Sequence, residues 1–169
     1  MSLLPDLTDP RYLDEVGWFL YHEKYGRQQF GGSYTEERLA YSRLLRAEVL
    51  EICGQDDRWL HEKTVVSIGG GCTGDLTTWE AAVKIAVDPL LAVYQHLGML
   101  LNDAAGTTPT IYLAMGVEAL PLLDACADLV VCRNALDHMP EPHIALQQIQ
   151  RILKTEGLLF LSVDIGGVA

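Results

Sequence analysis

The spacing of apolar residues changes near residue 60, and this change divides the chain into two predicted regions. Before it, apolar side chains recur at helical intervals without a run of β-branched residues. A first helix is predicted from Arg11 to about Lys24, and the capping-box spacing of Ser33 and Glu36 predicts a second. The apolar face of that second helix consists of Tyr41, Leu45, Val49 and Ile52. Residues 1–60 are therefore expected to form a helical lead-in that serves as a lid.

From Thr64 onward, short apolar runs alternate with helical segments. The predicted strands are Thr64 to Ile68, Val83 to Val87, Thr110 to Met115, Leu129 to Cys132 and Leu158 to Val163. The predicted helices are Asp75 to Ala82, Leu90 to Asp103 and Pro142 to Lys154, with a turn-rich piece from Glu118 to Cys126. Strands that alternate with helices form parallel sheets through right-handed crossovers. The pattern predicts an α/β core over residues 61–169, with a doubly wound, mostly parallel sheet of about five strands, in a single domain overall.

The first predicted strand runs directly into the glycine-rich turn Gly69-Gly70-Gly71-Cys72-Thr73-Gly74. Glycine is needed where the backbone takes angles closed to other residues, or where a ligand approaches the main chain closely. A tight turn without a ligand would give the same pattern. The second strand ends in Asp88, about 20 residues after the turn begins, and Pro89 follows it. A carboxylate there can accept both ribose hydroxyls of an adenosine ligand, or it can cap the next helix.

An adenosine ligand is compatible with both NAD and S-adenosylmethionine, and the downstream motifs distinguish them. The segments Gly116 to Leu122, Ala127 to Pro142 and Ala145 to Gly157 resemble the motifs of class I S-adenosylmethionine-dependent methyltransferases. With the glycine turn and Asp88, the resemblance covers about residues 64–165 as four motifs in the right order. It implies a Rossmann-like fold that binds S-adenosylmethionine, transfers its methyl group to a small-molecule acceptor and releases S-adenosylhomocysteine.

The resemblance also implies the positions of the cofactor-binding residues. They are Gly69 and Gly71 beside the methionine part with Gly70 between them, Asp88 at the ribose with Pro89 after it, Gly116 and Val117 beside the adenine, and Arg133 and Asn134 near the sulfonium.

This chain departs from the family pattern at three places. Ser67 stands where the family often has an acidic residue, which weakens an indirect link to the cofactor's amino group. Gly116 stands where an aspartate often reaches the adenine amine, so backbone contacts are expected to do that work. Thr155-Glu156 replaces the usual proline and glycine of a turn.

Methyl transfer from a sulfonium is an in-line displacement, so positioning can supply most of the rate without a fixed catalytic side chain. His138 is the candidate catalytic base where the acceptor needs one, because imidazole titrates near neutrality. The alternative is that His138 and Asp137 merely begin the helix after the fourth strand. A lid over the cofactor is expected from Tyr21, His22, Glu23, Tyr25 and Tyr34. The alternative is that these side chains only pack between helices, with their charged groups in solvent.

The amino-acid composition excludes several classes of binding partner. The 169 residues carry a net charge of -11, which repels a phosphate backbone, so no nucleic acid is expected. The four cysteines lie far apart without a CxxC pair, and the histidines lack HxH or HExxH spacing, so neither a metal nor a disulfide framework is expected. No window approaches about 18 uninterrupted apolar residues, so a soluble cytoplasmic protein without a membrane partner is expected.

The family's sheet continues beyond the fifth strand with a helix and an antiparallel hairpin, which this sequence lacks. The segment Leu158 to Val163 is then expected near or at a sheet edge, which predicts a homo-oligomer through this edge.

Two other functions stay open. The missing hairpin and the lack of an assured base favour a non-catalytic module that binds S-adenosylmethionine. The GxGxxG spacing alone favours a nicotinamide-dependent oxidoreductase, which needs a substrate domain that this sequence does not contain.

Overall fold

The computed structural model describes residues 10, 12–17, 19–21, 34–72 and 74–163. Residues 12–17 and 19–21 are helical and are called the N-terminal helical segment. The helices that follow are α1 (Tyr34–Cys53), α2 (Asp57–Leu60), α3 (Leu91–His96) and α4 (Pro142–Ile152). The strands are β1 (Thr64–Ile68), β2 (Val83–Val87), β3 (Thr110–Leu113), β4 (Ala127–Arg133) and β5 (Leu153–Ser162). None of the helices in these ranges combines the length and the apolar character that crossing a membrane requires.

The described strands form one parallel sheet in the order β3-β2-β1-β4-β5. The chain enters at the centre, runs outward to β3, and then returns across β1 to build β4 and β5. Such a reversal opens a crevice at the carboxyl ends of the central strands, because the connections on its two sides leave in opposite directions. The predicted doubly wound, Rossmann-like α/β fold with about five strands is confirmed.

Helices cover both faces of the sheet, as alternate side chains of β1 illustrate. Val65 packs into a cluster with Leu45 of α1, whereas Val66 packs into a second cluster with Ile149 of α4. Both valines are fully buried. A strand with two buried faces reads as a continuous apolar run, which explains why β1 was predicted with its observed bounds.

The predicted apolar face of α1 is confirmed at Leu45 and Val49, which are fully buried, and Tyr41 packs against the same cluster. The prediction was wrong for Ile52, whose side chain is 67% exposed. Cys53 packs against the cluster instead, because a residue four positions on from Val49 lies closer to the same helix face.

The helix predicted over Asp75 to Ala82 is wrong, because this segment forms turns. Ser42 of α1 takes up backbone groups that a helix would have paired. Its hydroxyl donates to the Asp75 carbonyl at 2.7 Å and accepts from the Thr78 N–H at 3.2 Å. The Trp79 indole N–H donates to the Ser42 carbonyl at 3.2 Å, and its ring is fully buried. Polar side chains that bind nearby backbone compete with helix formation in this way.

The sequence predicted that the helix after β2 would reach Asp103, but α3 ends at His96. Gly98 has a φ of 68°, and this conformation ends the helical hydrogen bonding. Asp103 binds Lys84 of β2 instead, with 2.6 Å between Oδ1 and Nζ. The Lys84 side chain is fully buried, and its ammonium also donates to the Leu76 carbonyl at 2.9 Å. This buried ion pair ties the loop after α3 and the segment after the glycine turn to the sheet.

Strand β5 begins at Leu153 instead of the predicted Leu158, since Leu153 already pairs with Ala127 before a bulge. The change shortens α4, which was predicted to reach Lys154, while β3 ends two residues before its predicted end. Among the described strands β5 lies at one edge of the sheet, and its Leu161 is 39% exposed.

Candidate functional site

A cavity opens at the carboxyl ends of β1, β2 and β4, where the strand order reverses. The predicted site residues that line it are Gly69, Asp88, Pro89, Gly116, Val117, Asn134 and His138. Tyr12 and Glu15 of the N-terminal helical segment line it as well. Gly70 and Gly71 instead line a smaller adjoining cavity. The described residues hold no group of three or more His, Cys, Asp or Glu side chains that could bind a metal ion.

The glycine turn begins at Gly69, which has a φ of 70° and donates its N–H to the Val87 carbonyl at 2.8 Å. A Cβ at this position would collide with the Cβ of Ala135. Backbone conformation and space therefore both require glycine here. The turn brings the end of β1 against the end of β2 and against the segment after β4.

Aromatic residues cover the next part of the turn. The Phe19 ring would lie 2.8 Å from a Cβ at Gly71, which has a φ of 56°. Phe19 is 4% exposed, and its ring meets that of Tyr94 edge-on with 5.4 Å between the centroids. The N-terminal helical segment is thus packed onto the glycine turn.

A buried carboxylate lies beneath the turn. Asp75 is 7% exposed and accepts a hydrogen bond from the Ser67 hydroxyl at 2.9 Å. A Cβ at Gly70 would lie 2.6 Å from the same carboxylate oxygen. Because Ser67 replaces an acidic residue that the family often has, the sequence predicted a weaker indirect link to the cofactor's amino group. Asp75 places an acidic group there from the opposite end of the turn.

Asp88 holds the end of β2 to the turn. Its Oδ2 accepts the Gly71 N–H at 2.9 Å, and its Oδ1 accepts the Leu90 N–H at 2.8 Å. The Asp88 side chain is buried, and burial raises its pKa to about 6. The two hydrogen bonds lower the pKa, and the nearby charge of Glu15 raises it. A carboxylate has about four lone-pair sites, so two acceptor positions are left for a ligand. The bond from Leu90 fixes the turn that precedes α3, in which Leu90 rather than Asp88 holds the N-cap position.

The segment after β3 carries an unpaired acceptor. Val117, which begins a short 3₁₀ helix, is 3% exposed. Glu118 follows it, lines the cavity, and has its Oε1 buried with no hydrogen-bond donor among the described residues. Its other carboxylate oxygen lies 2.5 Å from where a Cβ of Gly116 would stand. The Glu118 carboxylate therefore fills the place of a side chain at residue 116.

Two ionisable side chains, Glu15 and His138, line the cavity. Burial raises the pKa of Glu15, while charge on His138 opposes the shift and Asp137 adds to it. His138 has a side chain that is 60% exposed, with its Nε2 3.5 Å from Asp137 Oδ2. It lies in a 3₁₀ helix, Leu136–His138, so the alternative that it begins α4 is not what the structure shows.

Arg133 and Asn134 were predicted together but take different directions. Asn134 lines the cavity with a φ of 47°, and its amide oxygen accepts from the Ser162 hydroxyl at 2.9 Å. Arg133 turns to α1, where its Nη1 donates to Glu48 Oε2 at 2.7 Å and its guanidinium lies 5.7 Å from the centre of the Tyr41 ring. The structure therefore brings Asn134 to the site and holds Arg133 outside the cavity lining.

Most of the predicted lid residues lie outside the described part of the chain. His22, Glu23 and Tyr25 do so entirely, as does the side chain of Tyr34. Tyr21 is described and is 61% exposed.

The residues of the same region that line the cavity or cover the turn are Tyr12, Glu15 and Phe19, which the sequence analysis missed. Tyr12, Val16 and Phe19 share a stripe at helical spacing that identifies the inward face of this segment.

Residues 67–161 match the model of a protein family described as a methyltransferase domain. The matched span is more than half of the 169 residues and runs from the end of β1 almost to the end of β5. It contains the glycine turn, Asp88, the whole of β4 and nearly all of β5.

A curated relative is the ubiquinone biosynthesis O-methyltransferase of Paracidovorax citrulli (strain AAC00-1). It is 32% identical over 98 residues, which are 57% of this chain and 41% of that protein. The chain spans less than half the length of the curated relatives it matches.

Solved structures share the fold at low identity. A proposed S-adenosyl-L-methionine-dependent methyltransferase from Methanococcus maripaludis is 19% identical, with a TM-score of 0.55 over 93% of this chain and 64% of that one. A proposed methyltransferase from an antibiotic biosynthesis pathway of Anabaena variabilis is 22% identical, with a TM-score of 0.54 over 73% of this chain and 46% of that one.

Proposed function

The chain belongs to the methyltransferase domain family, and we propose that it binds S-adenosylmethionine in the cavity and transfers the methyl group to a small-molecule acceptor. The observation that carries this proposal is the meeting of a positive-φ glycine turn with a buried carboxylate, joined by the bond from Gly71 to Asp88. Residues 61–169 are the cofactor-binding core in this proposal, and residues 1–60 are the lid.

Asp88 is proposed to hold the ribose. Two of its acceptor positions are already used by backbone N–H groups, which fix the carboxylate, and two are left for hydroxyl donors. Pro89 and Val117 line the same cavity and supply apolar contact for a flat base, with Gly116 beside them. These residues fit the adenosine part of the cofactor.

The methionine part is proposed to pass along Gly69, Gly70 and Gly71, with Asn134 near the sulfonium. Phe19 packs on Gly71 from the lid side, so the lid and the cofactor compete for contact with this turn. The buried Asp75 beneath Gly70 gives the turn a negative lining that suits the cofactor's amino group.

When bound, the cofactor supplies a methyl group whose bond to sulfur breaks as the acceptor atom bonds to its carbon. A hydroxyl acceptor must also lose a proton. We propose that His138 accepts that proton, because it lines the cavity together with Glu15 and its side chain is 60% exposed, which lets the proton pass on to solvent. The similarity to the Paracidovorax relative, which is named as an O-methyltransferase, supports an oxygen acceptor.

Calorimetric titration tests the binding proposal. S-adenosylmethionine and S-adenosylhomocysteine are expected to bind to the full chain, and NAD is not. Asp88→Asn should weaken both sulfur ligands, whereas Asp57→Asn on the exposed surface of α2 should leave them unchanged. Binding of NAD alone contradicts the proposal and favours the oxidoreductase.

Transfer of a labelled methyl group to a panel of phenols and catechols tests turnover. Product formation that depends on His138 supports the enzyme. Tight binding of S-adenosylmethionine without transfer to any acceptor supports the non-catalytic module instead.

Self-association is proposed through β5, an edge strand among the described residues, on which Leu159 and Leu161 are each 39% exposed. A cytoplasmic location is proposed because the four cysteines are free thiols. Light scattering at high protein concentration tests the first proposal, and a monomeric mass counts against it.

A further inference from the structure

We propose that Glu118 selects the base of the cofactor, by accepting a hydrogen bond from the exocyclic amine of adenine. This inference rests on the proposed function and assigns a specificity-determining residue to the same cavity. Its consequence is a preference for a 6-aminopurine over a 6-oxopurine.

The first observation is an acceptor without a donor. Glu118 Oε1 is buried, and none of the described residues donates a hydrogen bond to it. A buried carboxylate oxygen without a partner is costly, because water is lost and nothing replaces it. Since Glu118 lines the same cavity as Asp88, a ligand held by Asp88 is placed to supply the missing donor.

The second observation is the space above Gly116. This glycine has φ of -69° and ψ of 149°, angles that any residue adopts, so backbone conformation does not explain the lack of a side chain. A Cβ there would stand 2.5 Å from Glu118 Oε2. The absence of a side chain at residue 116 therefore makes room for the Glu118 carboxylate. Sequence reasoning had left this part of the site to backbone contacts alone.

The 6-amino group of adenine is a donor of the kind that Glu118 lacks. An ionised carboxylate only accepts hydrogen bonds, and this amino group donates them. The 6-oxo group of hypoxanthine is an acceptor and would place two acceptors against each other. Val117 and Pro89 give the base apolar walls, so the edge of the ring is where Glu118 discriminates.

The test compares the affinities of S-adenosylhomocysteine and S-inosylhomocysteine by calorimetry. The wild-type chain is expected to prefer the adenine ligand by about 10- to 100-fold, the range of one charge-assisted hydrogen bond. Glu118→Ala should bring the preference to within about threefold. Glu118→Gln has nearly the same shape and should also lose most of the preference, because an amide presents either its oxygen or its NH₂ group.

A double variant provides the rescue. Gly116→Asp combined with Glu118→Ala moves the carboxylate two positions back along the chain, where the backbone angles of Gly116 permit a side chain. This variant should regain an adenine preference of about 10-fold or more. Glu51→Ala, on the exposed side of α1, is the matched control and should behave as the wild type.

The outcomes separate this inference from the proposed function. Adenine preference that persists in both Glu118→Ala and Glu118→Gln overturns the inference while leaving cofactor binding intact. Failure of the wild-type chain to bind either ligand overturns both. Thermal unfolding of each variant shows whether its fold is retained, and the near-isosteric glutamine variant decides the matter if the alanine variant does not fold.

Discussion

The two ends of the cavity are built from different parts of the molecule. In the proposed function, Asp88, Val117 and Glu118 form the nucleoside end, and they follow strands β2 and β3 of the sheet. Asp88 and Val117 are nearly inaccessible, and hydrogen bonds to backbone hold Asp88 in place. In the same proposal, Glu15 and His138 form the acceptor end; they come from the N-terminal helical segment and from a short 3₁₀ helix, and His138 is largely exposed.

In the proposed function, this difference separates cofactor binding from methyl transfer. Groups fixed by a sheet are preorganised, so they recognise the cofactor in the same way whatever the acceptor is. Groups on a helical lead-in and a loop vary without disturbing the sheet, which is where such folds change their substrates. Variants at the nucleoside end should therefore change cofactor affinity, and variants at the acceptor end should change the transfer rate.

The largest expected effect is at the acceptor end. His138→Ala should lower the rate of transfer to a hydroxyl acceptor by about 10²- to 10⁴-fold, the range for loss of a general base, with cofactor affinity unchanged. Single-turnover kinetics and calorimetry measure the two quantities separately. His61→Ala, an exposed histidine paired with Glu80, is the control. An equal loss of rate and affinity would place His138 in cofactor binding.

The next effect is at the glycine turn. Gly69→Ala introduces a Cβ that collides with Ala135 and displaces the turn, so cofactor affinity should fall by about 100-fold. Gly98→Ala is a matched control for backbone strain, because its φ of 68° is close to that of Gly69 and nothing lies near its Cβ. Both should lose about 1–2 kcal/mol of stability from a positive φ, and only Gly69→Ala should lose the ligand. Equal affinities in the two variants would show that the turn does not contact the cofactor.

Asp88→Asn is expected to weaken binding of S-adenosylhomocysteine by about 10- to 100-fold, because ribose hydroxyls lose a charged acceptor. The wild-type affinity should fall on acidification through about pH 6, the pKa of the buried carboxyl, since the protonated form accepts less well. Calorimetry across this range measures the effect. The asparagine variant should lack the dependence, and a dependence that remains would assign it to another group.

The same carboxyl predicts the pH dependence of folding. The pKa of Asp88 is raised from 3.8 to about 6 by burial, so the folded chain binds the proton more tightly than the unfolded chain. Its contribution to the free energy of unfolding is fully present below about pH 4 and is lost as the pH rises through 6. The difference between wild-type and Asp88→Asn chains in denaturant titrations isolates this contribution.

The sheet was predictable because its physical signals are local. Buried strands such as β1 are continuous apolar runs, and the glycine turn follows β1 without a gap. The helix expected at Asp75 was not predictable, because Ser42, far away in the sequence, captures its backbone groups. Long-range hydrogen bonds of this kind leave no pattern in the segment that they change.

The candidate site divides along the same line. Asp88 was predicted because it directly follows a buried strand, and Val117 because its segment resembles a motif of the family. Glu118 was missed as a site residue, although it lies beside Gly116, because the sequence does not reveal where a flexible side chain folds back. Glu15 was missed because its place depends on how the N-terminal helical segment packs across the cavity, which only the tertiary structure shows.

The smallest effect is expected where the structure departs from the predicted site. Arg133→Gln removes the ion pair with Glu48 and the contact with the Tyr41 ring, both outside the cavity lining. Stability should fall by about 1 kcal/mol or less, as for other partly exposed pairs. Cofactor affinity should match that of Arg43→Gln, an exposed arginine of α1, in parallel calorimetric titrations. A loss of 10-fold or more at Arg133 alone would mean that its guanidinium leaves Glu48 for the ligand, and that the sheet end of β4 is not fixed before binding.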